Sequence, residues 1–175
     1  MTAAPLSDQP MTYQERVAAS RWFGVVTRVL PIAPLFGIVA AVRDPELGSA
    51  GRAATVGGLL FASAILVGVA RWFVALEVTV TGESLRFRFG PFGRTLGASA
   101  LRGVRVREYP WVAFGGWGWR FGRLDGGSAQ AYSVPFIREG VAVTTAAGRT
   151  YYLSSREPRR LAEAIERLQH GEGAA

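Results

Sequence analysis

Apolar residues run almost unbroken in two blocks before residue 73, then alternate with polar ones for much of the remaining chain. The second block, Ala53–Ala70 (AATVGGLLFASAILVGVA), is 18 residues without a charge. As an α-helix it is about 27 Å long, which matches the hydrocarbon thickness of a bilayer. Its small residues Gly57, Gly58, Ala62, Ser63, Ala64 and Gly68 are of the kind that let helices approach closely in lipid. The first block, Trp22–Val42, is 21 residues long but contains Arg28, Pro31 and Pro34. The prolines predict a kink, which neighbouring helices tolerate in lipid by re-satisfying the freed backbone groups. An arginine at bilayer centre costs roughly 2.5–3.5 kcal/mol. Arg28 stands near Trp22, so its guanidinium can snorkel toward the headgroups. The alternatives for this block are an interfacial helix and an uncleaved signal anchor. We expect a transmembrane hairpin over 21–73, with helices at about 22–42 and 53–73, preceded by an N-terminal tail over 1–20.

The ends of the hairpin repeat one motif. Arg21-Trp22-Phe23 begins the first block and Arg71-Trp72-Phe73 ends the second. Arg21, Trp22, Arg71 and Trp72 are therefore expected to anchor both ends at the same membrane–water interface, with tryptophan at headgroup level. The loop between the blocks, RDPELGSAGR, balances two arginines with two acids, whereas the other flanks carry Arg16, Arg21, Arg71, Arg86, Arg88 and Arg94. Positive-inside bias then places both termini in the cytoplasm and the loop outside. The expected location is the cell membrane, crossed twice.

After Phe73 the period becomes two. Leu76, Val78 and Val80 alternate with Glu77 and Thr79, and Leu85, Phe87 and Phe89 alternate with Arg86 and Arg88, the signature of half-buried strands. Thr81-Gly82-Glu83-Ser84 reads as the connecting turn. Pairing Val80 with Leu85 sets Glu77 opposite Arg88, a cross-strand pair that contributes roughly 0.2–1 kcal/mol. Gly90-Pro91-Phe92-Gly93 is a turn signal. Further strands are expected near 104–109, 117–121, 131–134, 140–145 and 150–153, about seven in all. One helix closes the chain. Leu161, Ala164, Ile165 and Leu168 form its apolar stripe, Ser154 or Ser155 its cap, with Ser154 and Glu157 at capping-box spacing, and Gly171 its stop. The expected fold class is α+β: the membrane hairpin, then an antiparallel β-barrel or sandwich with one C-terminal helix over 74–170, then a tail over 171–175.

This arrangement resembles the small bacterial membrane proteins that carry a bacterial pleckstrin-homology-like domain. The resemblance rests on Leu76–Phe89 with its hairpin, Gly90-Pro91-Phe92, Ala100–Val106, Gly115–Arg120, Gly140–Tyr152, and Glu157-Pro158 leading to Leu161–Ile165. It covers roughly 70–169 and, more loosely, the two spans. It implies a PH-like domain and carries no catalytic residue across. Eukaryotic lipid-binding members of that fold use a basic cluster in the first hairpin loop. Here the loop holds Glu83 and no base, which argues against specific phosphoinositide recognition.

Composition narrows the chemistry. No cysteine is present, which excludes disulfides, thiolate metal sites and thiol nucleophiles. The single histidine, His170, stands at the expected end of the last helix. All 20 basic residues are arginine, and the net charge is +7, which suits an anionic lipid surface or nucleic acid. The segment FGGWGWRFGR at 114–123 is the densest in glycine, tryptophan and arginine. It lacks the spacing of a phosphate-binding loop, and anchoring at the membrane disfavours base stacking on nucleic acid. It reads as a bend into a strand in which Trp117 and Trp119 share a face and at least one tryptophan enters the core. Trp111, Trp117, Trp119, Arg120 and Arg123 form the candidate interaction surface, where each arginine near anionic lipid adds about 1 kcal/mol. Asp125 and Glu139 are isolated acids in turn-like contexts. The expected function is a membrane-anchored, non-catalytic module without cofactor or metal, binding a protein partner, a second copy or anionic headgroups. The alternative is an accessory subunit of a membrane enzyme or transporter with Arg28 as an intramembrane functional residue.

Overall fold

A computed structural model describes residues 11–72 and 75–171. The side chains of Met11, Arg21, Thr27, Arg28 and residues 69–72 lie outside that description. The chain divides into two compact units. One joins the residues up to Ala19 with those from Ala75 onward; the other is Ser20–Val74.

The first unit is built from two sheets. The smaller contains β1 (Met11–Ala18), β2 (Ala75–Thr81), β3 (Ser84–Phe89) and β4 (Phe92–Gly97), antiparallel in that order. The larger contains β5 (Leu101–Glu108), β6 (Gly118–Leu124), β7 (Gly127–Ser133), β8 (Glu139–Thr145) and β9 (Thr150–Ser154), in the order β5-β8-β9-β7-β6. The expected alternation holds in the first hairpin: Val80 pairs with Leu85 and Glu77 with Arg88. Leu76, Val78, Val80, Leu85, Phe87 and Phe89 are wholly buried. Phe87 meets Tyr132 edge-on at 4.8 Å between ring centroids, and Phe89 stacks over Tyr132 at 6.3 Å. These rings fasten one sheet to the other, as edge-to-face and offset aromatic pairs do. Helix α5 (Pro158–His170) buries Leu161, Ala164, Ile165 and Leu168 against β5 and β8 of one sheet and β1 to β3 of the other. It ends at Gly171 in the left-handed conformation, as its sequence predicts.

Several expectations are corrected. Among the described residues the sheets do not close into a barrel, and they hold nine strands rather than about seven. The larger sheet is not wholly antiparallel, since β7 and β9 run parallel. The segment read as a tail supplies β1, which pairs along β2 from Tyr13↔Val80 to Ala18↔Ala75. Its pattern is hard to see because its inward positions are Tyr13, Glu15 and Val17, of which only Val17 is apolar and fully buried. Glu15 is satisfied across the fold: it accepts from Ser155 Oγ at 2.6 Å and from the Arg156 amide at 2.8 Å. The turn expected at Gly90–Gly93 forms at Gly90-Pro91, and from Phe92 the chain continues as β4, an exposed edge strand not anticipated from the sequence, with glycine at both Gly93 and Gly97. The capping box does not form. Glu157 is the N-cap, Ser154 Oγ accepts from the Val134 amide, and Ser155 Oγ accepts from the Glu157 amide. Proline at the first helical position needs no donor partner.

The second unit is helical. Ser20 caps α1 (Arg21–Val29), whose run continues through a 3-10 turn at Leu30–Ile32 into α2 (Ala33–Arg43). The 3-10 turn falls at the two prolines. After a short loop, α3 (Ser49–Trp72) packs on α2. Arg52 closes the loop by donating to the carbonyls of Asp44 and Leu47. Gly37 lies at the contact between the helices, where an added methyl would lie 3.0 Å from Leu59 Cδ1. Gly57 and Gly58, expected at that contact, face open space. Two stretches, Trp22–Arg43 and Ser49–Gly68, are long and apolar enough to cross a membrane, with mean hydropathy 2.1 and 1.6.

Candidate interaction surface

The FGGWGW segment builds a turn that has one apolar side in and one out. β5 ends at Glu108, and the Tyr109 amide donates to the Arg138 carbonyl at 2.7 Å. Pro110 then starts a single helical turn, α4 (Trp111–Phe114). Gly115 ends it at φ 65°, and Gly116 and Gly118 follow at φ 145° and 97°, conformations that side chains other than glycine rarely adopt. The Tyr109 hydroxyl donates to the Gly116 carbonyl and pins the loop.

The inner side of this turn lies on the outer face of the larger sheet. Phe114 stacks on Tyr109 at 5.8 Å, and both cover Leu124, Ala129, Ala131, Ala142 and Tyr152. Small residues make the seat shallow. A methyl on Gly122 would collide with the Ala113 carbonyl and lie 2.7 Å from Phe114 Cδ1. Strand twist helps to close it. Neighbouring strands rotate by about 20–25°, so diagonal corners of a five-stranded sheet curl toward one face. Arg107, on β5, thereby reaches Asp125, in the turn after β6, at 3.1 Å. Burial raises the pKa of Tyr109 and also of Tyr152, where the neighbouring Tyr109 adds to the shift.

The outer side is exposed and aromatic. Val112 is 95% exposed. Trp111 meets Trp117 edge-on at 4.4 Å, and Trp117 meets Phe136 at 5.0 Å. Phe136 is 64% exposed and sits at φ 66°, a costly conformation for a bulky residue. These rings, with Glu108, Tyr109 and Arg138, border an open cleft of about 550 Å³. Arg120 lies beside them and donates from Nε to the Trp117 carbonyl at 3.1 Å.

Of the expected surface, Trp111, Trp117 and Arg120 come together. Trp119 and Arg123 do not join them. Gly118 turns the chain between the two tryptophans, so they do not share a strand face. Trp119 instead stacks on Phe92 of β4 at 4.9 Å and meets Phe121 edge-on. Its indole N–H is buried. No tryptophan is fully buried among the described residues; the large core rings are Tyr132, Tyr152, Phe87 and Phe89. Arg123 pairs in register with Ser128 at the far end of β6. Phe136 and Val112 join this surface with no signal in the sequence pattern. Phe136 follows a proline in an aperiodic stretch, and its position depends on backbone geometry rather than pattern.

Asp125 has an ion-pair partner in Arg107, while Glu139 is an exposed residue whose backbone carbonyl accepts from the Ser155 amide. His170 is exposed at the last turn of α5. Among the described residues, no three His, Asp or Glu side chains gather where a metal ion could sit. Trp22 is 79% exposed at the start of α1. The side chains of Arg21, Arg28, Arg71 and Trp72, the remaining expected anchors and the intramembrane candidate, fall outside the described residues. Comparison of the chain with family models, curated proteins and solved structures gives no match, so the chemistry of this surface rests on its own residues.

Proposed function

We propose that the protein is a membrane-anchored interaction module: two spans hold a PH-like β-unit at the cytoplasmic face of the cell membrane, where it binds rather than catalyses. The observation that carries this reading is the pairing of β1 with β2 across the helical unit. Because Ala18 and Ala75 are ladder partners, the chain leaves and rejoins the β-unit on one side of any bilayer, which demands an even number of crossings. It also speaks against a cleaved signal, since cleavage after the first helix would remove β1. The outward chemistry of the helices agrees. Only 6% and 0% of the two apolar stretches are buried, and apolar surface of that extent requires lipid or protein around it. Arginine bias assigns the cytoplasmic side. The docking surface is the aromatic end around Trp111 and Phe136, and its partner is a protein, a second copy or anionic lipid.

Single cysteines in this cysteine-free chain test the arrangement. With Gly48→Cys and Ala147→Cys, an impermeant maleimide on intact cells should label only the former, and Ala147→Cys should react only after lysis. Labelling of both from outside, or of neither, overturns the topology.

A further inference from the structure

The strands place the aromatic cluster at a particular end of the β-unit. In the smaller sheet one end holds Ala18, Ala75 and Phe89, and the other holds Thr81, Ser84 and Gly97. In the larger sheet one end holds Glu108, Glu139, Ser154 and Gly118, and the other holds Leu101, Thr145 and Leu124. Contacts between the sheets match these ends. Arg156, just past β9, donates to the Ala18 carbonyl at 3.0 Å. Phe92, paired with Phe89, stacks on Trp119 beside Gly118. At the opposite end the turn Ala98–Ala100 leads from one sheet to the other: its Ala98 amide donates to the Glu83 carbonyl on the smaller-sheet side, and its Ala100 carbonyl accepts from the Ala146 amide on the larger-sheet side. The loops carrying Trp111, Trp117 and Phe136 therefore start from the end at which the chain leaves for the apolar helices at Ala18 and returns from them at Ala75, with the inner side of α4 folding back over the outer face of the larger sheet. Only residues 19–20 and 73–74 lie between these strand ends and the helices. Three residue steps reach at most about 11 Å, so once the helices are in a bilayer this end is held near its surface.

We propose that this end docks on the headgroup layer of the bilayer that carries the protein's own helices, with Trp111, Val112 and Phe136 entering the interface and Arg120 and Arg138 meeting anionic headgroups. The proposal rests on the anchored-module reading and names the occupant of its surface. Tryptophan and phenylalanine on a rigid turn favour that layer, because an amphipathic ring can bury its body and keep its edge wet. Both arginines are exposed and neither forms an ion pair among the described residues, leaving their charge for lipid phosphate. The strained backbone at Phe136 has a use here, since it aims an apolar ring outward where no core contact requires it.

The test uses the full chain in nanodiscs of phosphatidylcholine, with and without phosphatidylglycerol. A fluorophore is placed on Val112→Cys or, at the opposite end, on Ala147→Cys. The label at 112 should be quenched by lipid-borne nitroxide and shielded from aqueous iodide, more so with phosphatidylglycerol, and the label at 147 should show the reverse. Phe136→Ser, an exposed change that leaves the core intact, should return iodide access at 112. Arg120→Glu with Arg138→Glu should abolish the response to anionic lipid. Equal iodide access at 112 and 147 in both lipids overturns the proposal. Shielding at 112 in native membranes but not in nanodiscs overturns it too, and makes the occupant a protein while the anchored module stands. Failure of that wider reading shows separately, in the Gly48→Cys and Ala147→Cys labelling.

Discussion

Ala18 and Ala75 are antiparallel partners at the end of the β1–β2 ladder, although 56 positions separate them in the chain. The helical unit is thus an insertion between two adjacent strands. Partners in such a ladder lie about 4.5–5.5 Å apart between Cα atoms, close enough for a tight turn to join them. Replacing residues 19–74 by a short Asn-Gly turn should give a soluble β-unit that unfolds in a single cooperative transition. A fragment beginning at Ala75 should aggregate, because it exposes the β2 edge and leaves the buried Ser155 hydroxyl without Glu15. Size-exclusion chromatography and thermal unfolding of the two shortened proteins check both outcomes.

Gly122→Ala should lift α4 from the sheet. Its methyl has no room between the Ala113 carbonyl and Phe114, and overpacking of this kind typically costs about 1–3 kcal/mol. Because Trp111 rides on the same turn, the Trp111–Trp117 contact should loosen with it. The check is the urea midpoint of the variant together with nitroxide quenching at position 112. A wild-type midpoint with wild-type quenching would show that the turn does not depend on this contact.

Alkaline pH should destabilise the β-unit earlier than its arginine content suggests. Burial, then the adjoining Glu15 carboxylate, raises the Tyr13 pKa above its ordinary value near 10. Burial acts in the same direction on Tyr152. A raised pKa in the folded state means that folding favours the neutral phenol. That contribution is complete below about pH 10 and is lost as pH rises from there toward the native value. Tyr13→Phe should flatten the fall in stability above pH 10 and leave the slope at neutral pH unchanged. Denaturant titrations across that range would show it.

Two substitutions in the first hairpin should differ widely in cost. Glu77→Ala removes the 2.7 Å pair with Arg88, but both partners are well exposed, and such pairs contribute about 0.2–1 kcal/mol. Phe87→Ala opens a cavity between the sheets where the ring meets Tyr132 and Tyr151, at about 3–5 kcal/mol. Chemical denaturation of the soluble β-unit separates the two effects.

What the sequence by itself determined is local. The β2–β3 hairpin, its Val80–Leu85 register, the stripe and stop of α5 and the 3-10 interruption of the first apolar run follow from periodicity, turn residues and proline, all of which act within a few positions. What only the tertiary structure decided is long-range or geometric. β1 carries no readable period because an inward-facing glutamate breaks its pattern, and the hydrogen-bond partners of that glutamate, Ser155 and Arg156, lie about 140 positions away. The parallel β7–β9 pair leaves no periodic mark, since pairing direction depends on how the chain returns rather than on alternation. The aromatic surface was legible at Trp111, Trp117 and Arg120, whose composition stands out. Strand alternation from Trp117 would put Trp119 on the same face, but β6 begins only at Gly118, which turns the backbone between the tryptophans, and the length of β6 carries Arg123 to the other end. Phe136 joined from a distant loop because backbone geometry, held by surrounding packing, points its ring at Trp117.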